Sequence, residues 1–147
     1  MTEFETIYNR FSQKITDYKL MQLDDDSLSE LLLGWLHSSI AKFRICKSDL
    51  SDRDDDFGCF NVDLTDLEIE ILALRMVDEW LEPQLNSVLL TKQFMGGNTE
   101  KFFSQAGHLN ELRLLSDRNR KEIRQLENRY RIVNNTYIGK EEDRDGN

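Results

Sequence analysis

The chain has 147 residues, which fits one domain with a sizeable core. It carries 28 acidic residues against 19 lysines and arginines, a formal net charge of −9. DNA, RNA and anionic membranes would repel such a chain unless a local basic surface prevails. The sequence contains neither a signal-peptide pattern nor an apolar run near the ~20 residues of a bilayer span, so we expect a soluble protein made in the cytosol. Its two cysteines form no CxxC pair and are interpreted as reduced thiols.

Two amphipathic helices are predicted in the first third of the chain. Apolar residues at helical spacing indicate one helix over residues 2–15 and a longer one that begins near Asp26 or Ser27. The apolar stripe of the second helix extends to Cys46, which is therefore expected to be a small core residue. His37 lies beside the stripe without a second histidine or cysteine at ligand spacing, and we interpret it as a surface residue.

The most polar stretch, residues 47–60, permits two interpretations. Its acids have part of the spacing of a calcium-binding loop, with one acid at the twelfth position; these candidates are Asp52, Asp54, Asp56 and Asp63. However, Phe57 stands where such a loop needs glycine, and Asp63 is shorter than the usual bidentate glutamate. A solvated acidic loop closing on Phe57 and Phe60 is the favoured interpretation.

Residues 61–85 are predicted to form the central helix. Thr65 and Glu68 have the spacing of a capping box, and apolar residues then cover most of the helix circumference. Pro83 is expected to end or kink this helix and to begin another.

Short helices are predicted on either side of a glycine pair. The helix that begins at Pro83 is expected to stop at Gly96, Gly97 and Asn98. A brief helix is then expected to end at Gly107.

The last long predicted helix, residues 108–133, carries a heptad seam. The seam residues repeat with spacings of three and four: Leu109, Leu112, Ser116, Asn119, Ile123, Leu126, Tyr130 and Val133. This helix has seven basic and four acidic residues, a balance of about +3. Residues 48–82 have twelve acids against two arginines, a balance of −10, so opposite charges are expected on different elements.

This charge asymmetry has two possible explanations. Both surfaces could simply be solvated, or the basic helix of one copy could contact the acidic loop and helix edge of the next, in a head-to-tail contact that can close a ring. The residues predicted for that contact are Arg113, Arg120, Lys121, Arg124, Arg131, Asp54, Asp55, Asp56 and Glu70. Nucleic-acid binding by the basic helix conflicts with the overall charge and lacks a recognisable motif.

The predicted fold is all-α, a compact bundle of about five helices with a long C-terminal helix, in one domain of residues 1–133. Asn134 and Asn135 are expected to end the last helix, leaving residues 134–147 as an extended or flexible tail. The β-prone residues Thr136, Tyr137 and Ile138 are predicted to dock on a neighbouring molecule.

No catalytic arrangement is recognised in the sequence. Two histidines are few for metal catalysis, and no serine, histidine and acid stand in a nucleophile context. We therefore expect neither an enzyme nor a cofactor, and no metal site beyond the weak calcium candidates.

Several stretches resemble small structural proteins of tailed bacteriophages. They are Leu50-Ser51-Asp52-Arg53-Asp54, Phe60-Asn61-Val62-Asp63-Leu64-Thr65, Glu68-Ile69-Glu70-Ile71-Leu72-Ala73-Leu74, Glu79-Trp80-Leu81-Glu82-Pro83-Gln84, and Phe103-Ser104-Gln105-Ala106 with His108-Leu109 and Leu112. The resemblance covers roughly residues 4–138. It implies a mostly helical head–tail connector or adaptor, of the head-completion type, that assembles as a ring beneath the portal.

The same resemblance implies the partners and the location. Similar proteins often form twelve-fold rings whose extended terminal segment reaches a neighbour or the portal. The partners would be further copies of the chain, the portal protein, and a tail or stopper protein, with DNA passing only as cargo. The protein would be made in the host cytoplasm and reside in the neck of the virion.

Two other functions remain open. The chain could be a soluble interaction module that binds one partner helix through the seam of residues 109–133. Within the neck it could be a tail-completion or stopper protein, which no motif distinguishes from an adaptor.

Overall fold

A computed structural model describes residues 1–95 and 100–145, and at 91–95, 100–103, 105 and 135–145 it describes the helical backbone alone. In chain order the elements are strand β1 (Thr2–Glu3), helix α1 (Phe4–Ser12), a 3-10 turn (Leu20–Gln22), α2 (Asp25–Lys42), β2 (Arg53–Asp54), β3 (Cys59–Phe60), α3 (Asp66–Met95) and α4 (Glu100–Asp145). The prediction of a mostly helical protein is confirmed. The described residues form four α-helices rather than about five, and they include a small sheet.

Helix α3 is the centre of the fold, as its apolar circumference predicts. Ile71, Leu72, Met76 and Leu81 are fully buried, and α1, α2 and α4 each pack on α3. The helix contacts its three neighbours with different side chains, so they surround it rather than stack in one layer. This arrangement explains why α3 needs apolar residues on nearly every face.

The beginnings of α2 and α3 are fixed by side-chain caps. The Thr65 backbone N–H donates to Glu68 Oε2 at 2.9 Å, and the Glu68 N–H donates to Thr65 Oγ1 at 3.2 Å, so the predicted capping box is confirmed. Helix α2 is capped by Asp24, whose Oδ1 accepts the Ser27 N–H at 2.7 Å. The prediction of a cap at Asp26 or Ser27 was therefore wrong by a few residues, because Asp24 has the extended backbone that a cap requires.

Two predicted helix boundaries are absent from the structure. Helix α3 continues through Pro83, and α4 continues through Gly107. Leu81 and Val88 are buried on either side of the proline, so packing outweighs its local cost. A helical glycine costs only about 1 kcal/mol, and the buried Leu109 lies two residues after Gly107. The predicted stop at Gly96, Gly97 and Asn98 lies outside the described residues.

The small sheet corrects the prediction of an all-α fold. Strand β3 lies between β1 and β2, with Phe60 opposite both Thr2 and Arg53 in antiparallel register. The turn between β2 and β3 ends at Gly58, whose φ of 67° suits glycine. Phe60 is fully buried but Phe57 is 85% exposed, so the acidic loop closes on Phe60 alone.

Helix α4 also corrects the predicted extended tail. It runs to Asp145 without a break at Asn134, whose Nδ2 donates to the Tyr130 carbonyl at 2.7 Å. This bond satisfies the asparagine side chain within the helix, so it does not compete with the helical backbone. The residues proposed for docking (Thr136, Tyr137 and Ile138) lie on helical backbone, and their side chains are outside the described part of the chain.

Candidate assembly surfaces and a buried carboxylate

The heptad seam of α4 is buried against α3 of the same chain. Leu109, Leu112, Ile123 and Tyr130 are at most 6% exposed, whereas Val133 at the end of the seam is 48% exposed. The polar middle of the seam is also buried, and Asn119 Nδ2 donates to the Leu74 carbonyl at 3.0 Å. A polar residue at one seam position fixes the register of two helices. The partner helix of this seam is therefore α3.

Ion pairs extend the contact between α3 and α4. Arg120 Nε lies 3.0 Å from Asp78 Oδ1, and Arg75 Nε lies 3.1 Å from Glu127 Oε1. Arg120 of the basic helix thus pairs with Asp78 of the acidic segment, residues 48–82, within one copy. Arg120, predicted to contact a second copy, already has an acidic partner in its own chain.

The outward side of α4 retains a strongly basic surface. Arg113, Arg118, Lys121 and Arg124 are exposed, and none of them forms an ion pair with another described residue. Arg131 is exposed too and donates to Asn128 Oδ1 at 3.1 Å within the helix. The structure exposes all five predicted basic contact residues on α4, with Arg118 beside them, and of the five only Arg120 has an ion-pair partner among the described residues.

The predicted acidic contact residues are held mainly by their own chain. Glu70 pairs with Arg10 at 3.6 Å and also with Lys14. Asp55 pairs with Arg53 at 3.2 Å and lies 3.1 Å from His37 Nε2, so His37 faces an acid rather than only solvent. Although burial by itself raises the pKa of Asp55, His37 and Arg53 lower it below the usual range.

The turn between β2 and β3 uses another of these acids. Asp54 Oδ1 accepts the backbone N–H groups of Asp56 and Phe57 at 3.0 and 2.9 Å. This is an Asx turn, a local means of fixing a loop. Asp54 therefore supports the shape of the turn.

Three of the four calcium candidates serve separate local contacts. Asp52 Oδ1 accepts from Asn61 Nδ2 at 2.7 Å, Asp54 holds the turn, and Asp63 pairs with the N-terminal amine of Met1. Among the described side chains, no group of three or more acids, histidines or cysteines is placed to hold a metal ion.

A buried carboxylate, which the sequence predicted only as a capping-box residue, connects three segments of the chain. Glu68 is 2% exposed, and its oxygens accept from Tyr130 Oη at 2.7 Å and from Ser48 Oγ at 2.9 and 3.0 Å. The Cys46 Sγ lies 3.5 Å from Glu68 Oε1. Cys46 itself lies in the turn that follows α2 rather than on α2. Tyr130 Oη in turn accepts the Lys47 N–H at 2.7 Å. Glu68 thus joins the 46–48 loop and α4 to the start of α3.

The protonation of this cluster follows from its hydrogen bonds. Burial alone raises the pKa of Glu68, but the Thr65 backbone, Tyr130, Ser48 and Cys46 together lower it below the usual range. Burial is the main cause that raises the pKa of Cys46 to about 12, and the Glu68 charge adds to it. At neutral pH the cluster is therefore a carboxylate surrounded by neutral donors, and the thiol lacks thiolate character.

Comparison of the chain with protein-family models, curated proteins and solved structures gave no match. None of the helices in the described residues is both long and apolar enough to cross a bilayer.

Proposed function

We propose that this chain is a structural protein of a tailed-phage virion, a ring-forming adaptor that links the portal to the tail. The resemblance of residues 4–138 to small phage structural proteins suggests this class. The mostly helical fold with a central α3 is compatible with it. In this proposal the chain has no catalytic role, and DNA is cargo that an acidic protein of net charge −9 does not retain.

The observation that carries the proposal is the continuation of α4 past the start of α3. Tyr130 lies beside Glu68 in the first turn of α3, and α3 and α4 run antiparallel from there. Residues 135–145 of α4 therefore extend past the start of α3, over about 16 Å at 1.5 Å per residue. A helical segment that extends past its partner helix is suited to reach a neighbouring copy or the portal.

The exposed basic side of α4 supports the same proposal. Exposed cations without an ion-pair partner in the described part of the chain favour contact with an acidic surface. An overall acidic protein can offer that surface from a second copy of itself. Such a contact joins unlike surfaces, so it generates rings or filaments rather than closed twofold dimers.

The alternative module that binds one partner helix has less support. Its proposed binding seam, residues 109–133, is covered by α3 over most of its length. A partner helix would have to displace α3 and expose the Asn119 side chain and several leucines to water. The tail-completion and stopper functions remain within the same proposal, because they share the ring and the neck.

Light scattering combined with size-exclusion chromatography tests the proposal. We expect the chain to bind a portal ring encoded in the same genome and to add one ring of copies to its mass. The chain should be measured alone and with the portal, since an adaptor can remain monomeric until it meets its template. Failure to bind the portal, together with a 1:1 complex with a host protein, would contradict the proposal.

A further inference from the structure

A second exposed surface lies at the start of α2, and we call it the α2 patch. It combines three acids with apolar side chains; its members are Asp25, Asp26, Glu30, Leu23 and Leu31. Leu23 and Leu31 are 40% and 36% exposed, and the neighbouring Met21 is 80% exposed. Contiguous apolar surface with a polar rim is typical of interaction sites.

The acids of the α2 patch have no counter-charge among the described side chains. Asp24 is used as the helix cap, but Asp25, Asp26 and Glu30 form no ion pair with any described residue. This distinguishes them from Asp55 and Glu70, whose cationic partners belong to the same chain. The start of α2 is thus an acidic surface whose carboxylates are available for an outside partner.

A groove runs along α2 beside Glu30. It has a volume of about 550 Å³, and its lining includes Leu23, Glu30, Leu31, Gly34 and Trp35. Gly34 leaves the groove open, because a Cβ at this position would meet no atom within 4 Å. A helix edge with one apolar residue and basic flanks has the shape and charge to enter it.

The outward side of α4 presents such an edge. Leu114 is 62% exposed and is followed at helical spacing by Arg118, Lys121 and Arg124, all exposed. We call these four residues the α4 face. Three cations and an apolar side chain on α4 thus match three acids and apolar side chains on α2.

The α4 face and the α2 patch are different surfaces on two helices of one protomer. On α3, Glu79 pairs with Lys42 of α2, and Arg75 and Asp78 pair with residues of α4. A contact in which the α4 face of one copy meets the α2 patch of another joins unlike surfaces, so it is heterologous.

We propose that the α4 face of one copy docks into the groove of the α2 patch on the next copy. The inference deepens the proposed ring-forming function and rests on it. It assigns the acidic side of the contact to Asp25, Asp26 and Glu30 rather than to Asp54, Asp55, Asp56 and Glu70. It leaves Arg120 to its pair with Asp78 inside the protomer.

A charge-swap experiment tests the contact. One variant carries Arg118→Glu, Lys121→Glu and Arg124→Glu, and a second carries Asp25→Lys, Asp26→Lys and Glu30→Lys. We expect each variant alone to lose self-association by about tenfold or more in low salt, measured by sedimentation equilibrium up to about 1 mM chain. An equimolar mixture of the two should associate again, because each then meets an oppositely charged partner.

The control is one chain that carries all six changes. Its net charge equals the native −9, so overall repulsion is unchanged while both surfaces are exchanged. We expect this chain to associate with itself as the native chain does. Association of either three-residue variant at the native level would overturn the inference. A six-change chain that stays monomeric would also overturn it, as would an equimolar mixture of the two variants that stays monomeric. Circular dichroism verifies that each variant is folded.

A steric variant tests the groove without any change of charge. Gly34→Leu fills the groove, and its Cβ meets open space, so α2 should stay intact. We expect it to weaken association about tenfold, whereas Ser29→Leu elsewhere on exposed α2 should not. Native association of Gly34→Leu would overturn the docking site.

Portal binding separates this inference from the proposed function. Normal rings of the charge-reversed chains on a portal would overturn the α2–α4 contact and leave the adaptor function standing. Absence of portal binding by the native chain, with the charge-swap pattern intact in solution, would reject the adaptor function alone. A native chain that remains monomeric at 1 mM and forms no ring on the portal would reject both.

Discussion

Glu68 performs two structural functions with one carboxylate. It completes the capping box of α3 with Thr65, and it accepts the hydroxyl hydrogens of Ser48 and Tyr130. A carboxylate has several acceptor sites and no donor, so it can hold this many donors at once. The result is a buried charge that is compensated by hydrogen bonds rather than by an ion pair.

Replacing Glu68 by glutamine should therefore destabilise the protein. The glutamine amide has the shape of the carboxylate, but its N–H₂ group would face the hydrogen-bond donors Ser48, Thr65 and Tyr130. It also removes the negative charge that strengthens the hydrogen bonds from these donors. We expect the free energy of unfolding to fall by about 2–3 kcal/mol, measured by urea unfolding. Glu5→Gln, at an exposed position in the first turn of α1, is the matched control and should change it by less than about 0.5 kcal/mol. Equal stability of the two variants would contradict this role of Glu68.

The same residue should make stability depend on acid pH. The native-state pKa of Glu68 lies below the usual 4.5, so the unfolded chain binds this proton more tightly than the native chain does. Its contribution is complete well above pH 4.5 and decreases as the pH falls through and below that value. The melting-temperature difference between native protein and Glu68→Gln should consequently narrow from pH 7 to pH 3. A difference that stays constant over this range would be inconsistent with an ionised Glu68.

At the scale of elements, α3 shows how packing overrides a local signal. Pro83 lacks a backbone N–H and disfavours the helical turn before it, which is why the sequence predicts a boundary. The helix nevertheless continues, because Leu81 and Val88 both bury their side chains in the core. Summed burial over a helix of 30 residues exceeds the cost of one proline.

Pro83→Ala should accordingly stabilise the protein. The Pro83 side chain is exposed, so its removal loses little packing, and alanine restores the helical hydrogen bond. We expect a gain of about 1–3 kcal/mol in the free energy of unfolding, seen as a higher melting temperature. Glu82→Ala is the control, because Glu82 is exposed and lies in the same turn; it should change the free energy of unfolding little. A loss of stability in Pro83→Ala would indicate that the packing of α3 requires the proline.

The elements that the sequence predicted well are those with long periodic patterns. The apolar circumference of α3 and the heptad seam of α4 each extend over many residues, so the signal accumulates. The sheet was missed because its strands have two residues each and no periodicity can develop over that length. The Asp54 turn and Gly58 were the available signals for a hairpin, and they were interpreted as part of a loop.

At the scale of the whole molecule, sequence could locate the charges but not their partners. The balance of +3 in residues 108–133 and −10 in residues 48–82 predicted a meeting of the two. Part of that meeting occurs inside one copy, at Arg120 with Asp78. Only the folded structure separates this paired arginine from the next residue, Lys121, since adjacent helical residues face different directions.

The unlike charged surfaces on one small protomer also give the ring proposal its physical basis. A heterologous contact needs two different surfaces per copy, and the α4 face and the α2 patch provide them. Charge complementarity sets the register of such a contact more than its strength. This suits a ring whose copies associate weakly in solution and assemble fully on the portal.

Electron microscopy of the purified complex with the portal tests the adaptor proposal most directly. The account predicts a second ring of density on the tail side of the portal, coaxial with its channel, that disappears when this chain is omitted. The ring should be lost with the Arg118→Glu, Lys121→Glu and Arg124→Glu chain and return with the six-change chain. Portal particles that look the same with and without the native chain would contradict the account.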